Sequence, residues 1–262
     1  MTMDIPSIQK ETGAFWDEIA DTYSHGEAGE TEAIELLRNG GSFLFESERQ
    51  LLGDLRPWCA RAIHLQCSGG LDALSLLRQG AAEVVGVDIS ERLLASARRK
   101  TEALGAAATW RRTDILQTPA ELDGTADLVY TGKGALCWML DLPAWANVAA
   151  RLLAPGGRLF LFEAHPMTWV WDHEAATFVL DREYGDYFSE KLREGLFSRV
   201  TKATPRYQQC TMAQVVNSVI GAGLVLEQLH EYPEPFWNQF PNIPIDTLHC
   251  LPQTFALLAC KP

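Results

Sequence analysis

The protein is a chain of 262 residues, of which 47% are hydrophobic and 21% are charged, values close to those of globular proteins. This composition excludes a disordered chain, and the length allows one or two domains with a sizeable core. The 22 basic and 34 acidic residues give a formal net charge of -12. Such a charge repels a phosphate backbone, so no nucleic acid partner is expected.

The cysteines and the first residues indicate the compartment. None of the six cysteines has a second cysteine or a histidine at a zinc-ligand spacing, so we expect reduced thiols and no metal. The first residues, MTMDIPSIQKETGAFW, carry acids where a signal peptide begins with cations, and no run of about 18 apolar residues follows. These features predict a cytoplasmic protein with no membrane partner, and they leave its oligomeric state open.

Short β-branched runs alternate with helical patterns over residues 55–157, which is typical of a parallel sheet covered by helices. The first strand is predicted over residues 62–66 and is followed by the loop 67–70. Apolar residues at helical spacing from Leu71 onward then predict an amphipathic helix that ends at Gly80.

The same unit then repeats along the chain. Residues 83–88 are predicted as the second strand, and Ser90 is the expected N-cap of a helix that ends before Gly105. The remaining elements of this region are strands at 109–113, 126–130 and 158–163 and a helix at 142–153.

The two ends of the chain have a different pattern. Residues 1–54 are predicted to form a helical lid outside the sheet, and residues 55–262 the core domain. Within the core, residues 164–209 are rich in aromatic and charged residues with weak periodicity, and we expect an insertion with broken helices on the acceptor side of the sheet. A helix at 212–220 and strands at 224–232 and 254–261 complete the prediction.

Ligands of an open α/β sheet bind beyond the carboxyl ends of its strands, so the residues at those ends belong together. Glycines after strand one allow a ligand to approach the backbone beside a helix N-terminus. Asp88 ends strand two and can accept both hydroxyls of a ribose, and Asp114 after strand three can accept from an adenine amine. Ile89 and Ile115 are expected to sandwich the adenine ring. These residues describe an adenosine-shaped site.

The sequence resembles the class I S-adenosylmethionine-dependent methyltransferases from about Phe15 to Lys261. Five motifs occur in order: HLQCSGGLD at residues 64–72, VGVDIS at 85–90, TDI at 113–115, DLVY at 127–130 and LLAPGGRL at 152–159. Two further segments, GALCWMLDL at 134–142 and FEAHP at 162–166, look like motifs of the branch that methylates small molecules.

The resemblance implies a doubly wound, seven-stranded, mostly parallel α/β sheet with an antiparallel C-terminal hairpin at its edge, a Rossmann-like fold. It implies S-adenosyl-L-methionine as cofactor and in-line transfer of its methyl group to a small-molecule acceptor. The cofactor-binding residues would be Gln66, Cys67, Ser68, Gly69, Gly70, Asp88, Ile89, Asp114, Ile115 and Thr131.

The first motif departs from the family pattern, which begins with an acid and continues with three glycines. This chain has His64 in place of the acid, Gln66 in place of the first glycine and Ser68 in place of the second. The departure affects the methionine end of the cofactor, where a side chain of Gln66 or Ser68 is expected to replace a backbone or water contact.

Aromatic residues in the covering segments point to the acceptor pocket. The expected acceptor-binding residues are Trp16, Tyr23, Trp138, Glu163 and Trp169, and Trp171 and Trp237 fall in the same segments. Lys133, after strand four, either faces the site or is a solvated charge.

His165 is the candidate catalytic base, because it follows strand five and an imidazole with an ordinary pKa can take a proton at neutral pH. His25 and His173 are the alternatives, and a purely structural role for His165 remains open.

Two other classes of protein share parts of this pattern. A non-catalytic module that binds the same cofactor would keep the adenosine residues without an acceptor cavity. A nicotinamide-dependent dehydrogenase shares the sheet and the ribose acid, but CSGGLD at residues 67–72 does not have the G-x-G-x-x-G spacing. The identity of the acceptor, and whether nitrogen, oxygen, sulfur or carbon is methylated, is not encoded in any motif.

Overall fold

A computed structural model describes residues 5–23, 26–194, 201 and 205–262. Within these residues the chain forms one seven-stranded sheet with the order β3-β2-β1-β4-β5-β7-β6. The strands are β1 Arg61–Leu65, β2 Glu83–Asp88, β3 Ala108–Arg112, β4 Ala126–Gly132, β5 Leu153–Ala164, β6 Val225–Tyr232 and β7 Thr254–Cys260.

Strands β1 to β5 pair in parallel, and β7 pairs antiparallel with both β5 and β6. The predicted doubly wound sheet with an antiparallel C-terminal edge is therefore confirmed. Strand β5 is longer than predicted, because Leu153 pairs with Ala126 before a register shift brings Arg158 beside Leu128.

Helices cover both faces of this sheet. They are α1 Ile5–Tyr23, α2 Gly26–Arg38, α3 Glu46–Leu52, α4 Leu71–Gln79, α5 Glu91–Leu104, α6 Leu142–Leu152, α7 Met212–Gly221 and α8 Ile245–Leu248. None of the helices in the described ranges combines the length and the apolarity that a bilayer crossing requires.

Local sequence signals fix the start and the end of α5. The Ser90 hydroxyl accepts a hydrogen bond from the Leu93 backbone N–H at 3.2 Å, as expected of an N-cap. Gly105 ends the helix with a φ of 57°, a conformation that glycine adopts without steric cost. Both predictions of the sequence are confirmed.

The hydrophobic core lies in two layers, one on each face of the sheet, and β5 shows how the sequence divides between them. Successive side chains of a strand point to opposite faces. Phe160 and Phe162 accordingly belong to the layer shared with α3, α4 and α5. Leu159 and Leu161 belong to the layer shared with α1, α6 and α7.

The prediction of broken helices over residues 164–209 is wrong for the described part of that segment. It contains a 3-10 turn at Pro166–Val170 and two isolated β-bridges, Trp171 with Leu180 and Arg193 with Tyr207. The carboxylate of Asp181 accepts from the backbone N–H groups of Glu183 and Tyr184. Asp172 and Asp186 each accept from the backbone N–H two residues ahead. These short turns compete with helix formation.

Candidate functional site

A cavity of about 590 Å³ lies at the carboxyl ends of the parallel strands, under α1 and α2. Its walls come from the loops after β1, β2, β3 and β4, from these two helices, and from residues 236–237. The predicted site residues that line it are Trp16, Tyr23, Gln66, Cys67, Ser68, Gly69, Asp88, Ile89, Asp114, Ile115 and Trp138. The structure therefore brings most of the predicted site together.

Asp88 is fixed by backbone donors at the end of β2. Its two carboxylate oxygens accept from the N–H groups of Ser68 at 2.7 Å and Ser90 at 2.9 Å. Burial raises the pKa of Asp88 to about 6, although the hydrogen bonds from Ser90, Ser68 and Ile89 oppose this shift. The carboxylate therefore ionises just below neutral pH and retains lone pairs for further donors.

Asp114 and the two isoleucines occupy the neighbouring part of the wall. Oδ1 of Asp114 accepts from the Leu116 backbone N–H at 2.9 Å and caps a short 3-10 turn. Ile89 and Ile115 both line the cavity. This end of the cavity offers a carboxylate beside apolar side chains, as expected for an adenine ring.

The loop after β1 keeps a glycine-like backbone without the glycines. Gln66 has a φ of 56° and Ser68 a φ of 49°, both in the left-handed region that favours glycine. Each costs of order 1 kcal/mol, so the surrounding structure must hold this conformation. Gln66 and Ser68 therefore adopt a backbone conformation that glycine would adopt without strain.

Gly70 serves packing within this loop. A Cβ at Gly70 would lie 2.4 Å from the Trp110 ring and 2.9 Å from the Ala97 side chain. Gly70 is not among the residues that line the cavity, whereas Gly69 and Cys67 are. Burial raises the pKa of the Cys67 thiol well above its usual value, which keeps it protonated and excludes it as a thiolate nucleophile.

The side chains that replace the family's acid and first glycine also border the cavity. Gln66 Nε2 donates to the Ala135 carbonyl at 2.7 Å and so joins the loops after β1 and β4. Gln66 Oε1 and His64 Nδ1 are buried and have no hydrogen-bond partner in the described structure. Burial lowers the pKa of His64 to about 4, so its imidazole is neutral at pH 7.

A buried ionic cluster, which the sequence did not predict, lies next to His64. Lys133 Nζ contacts Asp72 Oδ1 at 2.7 Å and Glu48 Oε2 at 3.1 Å, and it donates to the Phe43 carbonyl at 2.9 Å. Tyr130 donates its hydroxyl to Glu48 Oε1 at 2.5 Å. Of the two predicted alternatives for Lys133, the structure supports the one in which it faces the site.

Aromatic side chains form the wall beside this cluster. Trp16 packs edge-on against both Trp138 and Tyr23. Phe236 and Trp237 also line the cavity and pack edge-to-face with ring centroids 4.2 Å apart. Phe43 and Phe45 complete the aromatic wall. The sequence did not predict three of these aromatic residues, Phe43, Phe45 and Phe236, because a short apolar run in a loop gives no periodic signal.

Thr131 and Glu163 do not line the cavity. Thr131 is completely buried within β4. The Glu163 carboxylate accepts from the backbone N–H groups of Gly134, Ala135 and Leu136 at 2.6 to 3.0 Å. Glu163 therefore shapes the loop after β4 that borders the cavity, and its own side chain is not part of the cavity wall.

The structure also places His165 away from the cavity. Its Nδ1 accepts from the Met167 backbone N–H at 3.1 Å, which leaves the proton on Nε2 to donate to Glu231 Oε1 at 2.8 Å. Burial lowers the pKa of His165. The expectation of a base on the acceptor side is thus corrected, since this imidazole caps the turn after β5 and joins it to β6.

The insertion does not supply the expected tryptophans either. Trp169 packs against Tyr207, and Trp171 packs against Phe178, both outside the cavity. His173 packs edge-on against Phe240 with ring centroids 5.0 Å apart. His25 lies outside the described residues.

Known proteins that are similar to this chain include methyltransferases. The family model described as a methyltransferase domain matches residues 62–157. A demethylmenaquinone methyltransferase of Thermus thermophilus is 36% identical over 126 residues, which cover 43% of this chain and 56% of that protein. This chain spans about half the length of the curated relatives it matches.

Two solved structures share the fold. An S-adenosylmethionine dependent methyltransferase from Mesorhizobium loti superposes with a TM-score of 0.63 at 22% identity, over 81% of this chain and 95% of that chain. Geranyl diphosphate C-methyltransferase from Streptomyces coelicolor A3(2), in complex with Mg²⁺, geranyl diphosphate and S-adenosyl-L-homocysteine, superposes with a TM-score of 0.60 at 15% identity. That match covers 89% of this chain and 84% of the other.

Proposed function

We propose that the chain, whose residues 62–157 match a methyltransferase domain, is a class I S-adenosylmethionine-dependent methyltransferase that methylates a small-molecule acceptor. Family and fold indicate the cofactor. The size and chemistry of the acceptor are inferred from the cavity.

One observation carries this proposal: a single cavity joins an adenosine-type wall to an aromatic wall. Asp88 and Asp114 line the first wall, and Trp16, Trp138 and Trp237 line the second. A volume of about 590 Å³ is in the range of small-molecule sites. A module that only binds cofactor has no need of the second wall.

The adenosine wall fits the cofactor. Asp88 would accept both ribose hydroxyls, and Asp114 would accept from the adenine amine, with the ring between Ile89 and Ile115. Gln66 also lines the cavity, and its buried Oε1, which has no hydrogen-bond partner within the described residues, needs a donor. The ammonium and hydroxyl groups of S-adenosylmethionine are such donors.

The aromatic wall favours a flat or apolar acceptor without a phosphate group. Of the two lysines that line the cavity within the described ranges, Lys133 is bound by Asp72 and Glu48, and Lys100 lies beside Glu30. Neither offers an uncompensated cation to an anionic acceptor.

The chemistry requires mainly geometry from these residues. When bound, the cofactor supplies a sulfonium methyl group that is already activated, so no enzyme nucleophile is needed. That methyl group would bond to an electron pair of the acceptor, the electrons of the broken C–S bond would stay on sulfur, and any proton lost by the acceptor would go to solvent. The residues of the two walls would hold donor and acceptor in line at about 3 Å and exclude competing water.

Binding and turnover are tested in two steps. Calorimetry compares S-adenosylhomocysteine with NAD, and we expect heat of binding only from the first. Release of S-adenosylhomocysteine is then measured with a panel of flat, uncharged acceptors and with phosphorylated ones. Binding without turnover on any acceptor would support the non-catalytic module, and binding of NAD alone would support the dehydrogenase.

A further inference from the structure

Asp72 is a cavity carboxylate that none of the roles above uses. It is the second residue of α4, directly after the loop that follows β1, and its side chain is 16% exposed. Its Oδ1 accepts from Lys133 Nζ at 2.7 Å. Lys133 thus fixes the orientation of a carboxylate that lines the cavity.

Lys133 holds this carboxylate but has no donor left for a ligand. Its three ammonium protons are directed at Asp72, Glu48 and the Phe43 carbonyl, and its Nζ lies 5.0 Å from the centroid of the Phe45 ring. Its backbone has a φ of 60°, in the left-handed region. The cluster therefore presents a negatively charged oxygen to the cavity.

The motif position that carries an acid in the family supplies no charge here. His64 is neutral at pH 7, because burial lowers its pKa to about 4. Asp72 and Lys133 both influence this pKa, which places them close to the ring. The replacement of the acid by His64 is therefore accompanied by a carboxylate on an adjacent part of the same wall.

We propose that Asp72 binds the ammonium group of the cofactor's methionine moiety, an inference that rests on the proposed function. If Asp88 and Asp114 hold the adenosine at the β2 and β3 ends, the amino acid tail extends past β1 toward β4. Asp72 and Lys133 lie on that side of the cavity. A charge-assisted hydrogen bond to a fixed carboxylate oxygen suits an ammonium group.

The test separates the two ends of the ligand. S-adenosylhomocysteine carries the amino acid, whereas 5′-methylthioadenosine has the same nucleoside without it. We expect Asp72→Asn to weaken binding of S-adenosylhomocysteine by roughly ten- to a hundredfold and to leave binding of 5′-methylthioadenosine within about twofold. Glu102→Gln, which alters an exposed carboxylate of α5 that does not line the cavity, is the matched control and should change neither.

If Asp72→Asn loses affinity equally for both ligands, or loses none, the role of Asp72 is overturned and the proposed function still stands. Failure of the wild-type protein to bind either nucleoside would instead overturn the proposed function. If Asp72→Asn does not fold, the wild-type protein is compared with S-adenosylhomocysteine and its analogue without the amino group. Similar affinities for these two ligands would then refute the proposal.

Discussion

The carboxylate of Asp88 accepts a hydrogen bond from the backbone N–H of Ser68 at 2.7 Å, which joins the end of β2 to the loop after β1. Ser68 has a φ of 49°, so this bond helps to hold a backbone conformation that serine rarely adopts. Asp88 therefore has two tasks: it stabilises the cofactor loop, and it offers its remaining lone pairs to the ligand.

Replacing Asp88 by alanine removes both functions. We expect Asp88→Ala to weaken S-adenosylhomocysteine binding at least about tenfold, because a hydrogen bond to a charged group is worth about 1.5 to 3 kcal/mol. Titration calorimetry on the folded variant measures this, with Glu102→Gln as control. An unchanged dissociation constant would show that Asp88 does not hold the ribose.

Cofactor affinity should depend on pH through the same carboxylate. The pKa of Asp88 is raised to about 6 in the free protein by burial, and ribose donors would favour its ionised form in the complex. A proton must then leave before the ligand binds, so affinity falls as pH drops below about 6 and is constant above about 7. The decrease approaches about tenfold per pH unit.

Calorimetry from about pH 5 to about pH 8 tests this dependence. The variant Asp88→Asn cannot titrate at this position and should bind more weakly with a flatter profile. A wild-type affinity that stays constant across the range would contradict an ionised Asp88 as the ribose acceptor.

The adenosine wall could be predicted because its signals are local. Asp88 follows directly from a β-branched strand, and Ser90 is a helix cap that a few neighbouring residues define. The structural role of His165 could not be predicted in this way. It depends on the position of β6, because the hydrogen-bond partner Glu231 is 66 residues away in the sequence. The contact between Lys133 and Glu48 likewise joins a loop to a helix far apart in the chain, and no local pattern encodes it.

His165 is expected to act on stability rather than on turnover. His165→Ala removes the cap of the turn at Pro166–Val170 and the bond to Glu231, a cost of about 1 to 2 kcal/mol. In a chain of this size that lowers the melting temperature by roughly 2 to 8 °C. The turnover number should remain close to that of the wild type, since His165 does not line the cavity.

Differential scanning calorimetry and steady-state kinetics on the same preparation check this expectation. Glu231→Gln keeps an acceptor for Nε2 and should destabilise the protein less. A hundredfold loss of turnover at an unchanged melting temperature would restore His165 as the base.

The N-terminal helices are predicted to close over the bound cofactor. Gln9 and Trp16 of α1 and Leu36 of α2 line the cavity, whereas residues 164–194 contribute nothing to its wall. The insertion that was expected on the acceptor side therefore has no part in this closure. A closed site excludes water but must open for exchange of product.

Hydrogen exchange with and without S-adenosylhomocysteine measures this closure. Amides of α1 and α2 should become more protected in the presence of the ligand, and amides of residues 166–180 should change little. Equal protection of α1 and α2 in both states would rule out a lid that closes on the cofactor.

The neutral imidazole of His64 should make the protein sensitive to acid. Burial lowers the pKa of His64 to about 4 in the folded protein, below the value of 6.5 for an exposed histidine. A depressed pKa contributes stability that is present above pH 6.5 and is lost as pH falls toward 4, by about 3 kcal/mol in total.

Buried carboxylates such as Glu163, whose pKa is raised by burial, act in the opposite direction. The informative quantity is therefore the difference in unfolding free energy between the wild type and His64→Leu. Both proteins contain the same carboxylates, so the contributions of these carboxylates to the pH dependence cancel in the difference. This difference should shift by about 3 kcal/mol in favour of the variant between pH 6.5 and pH 4, and a difference that does not vary with pH would mean that His64 is not buried in its neutral form.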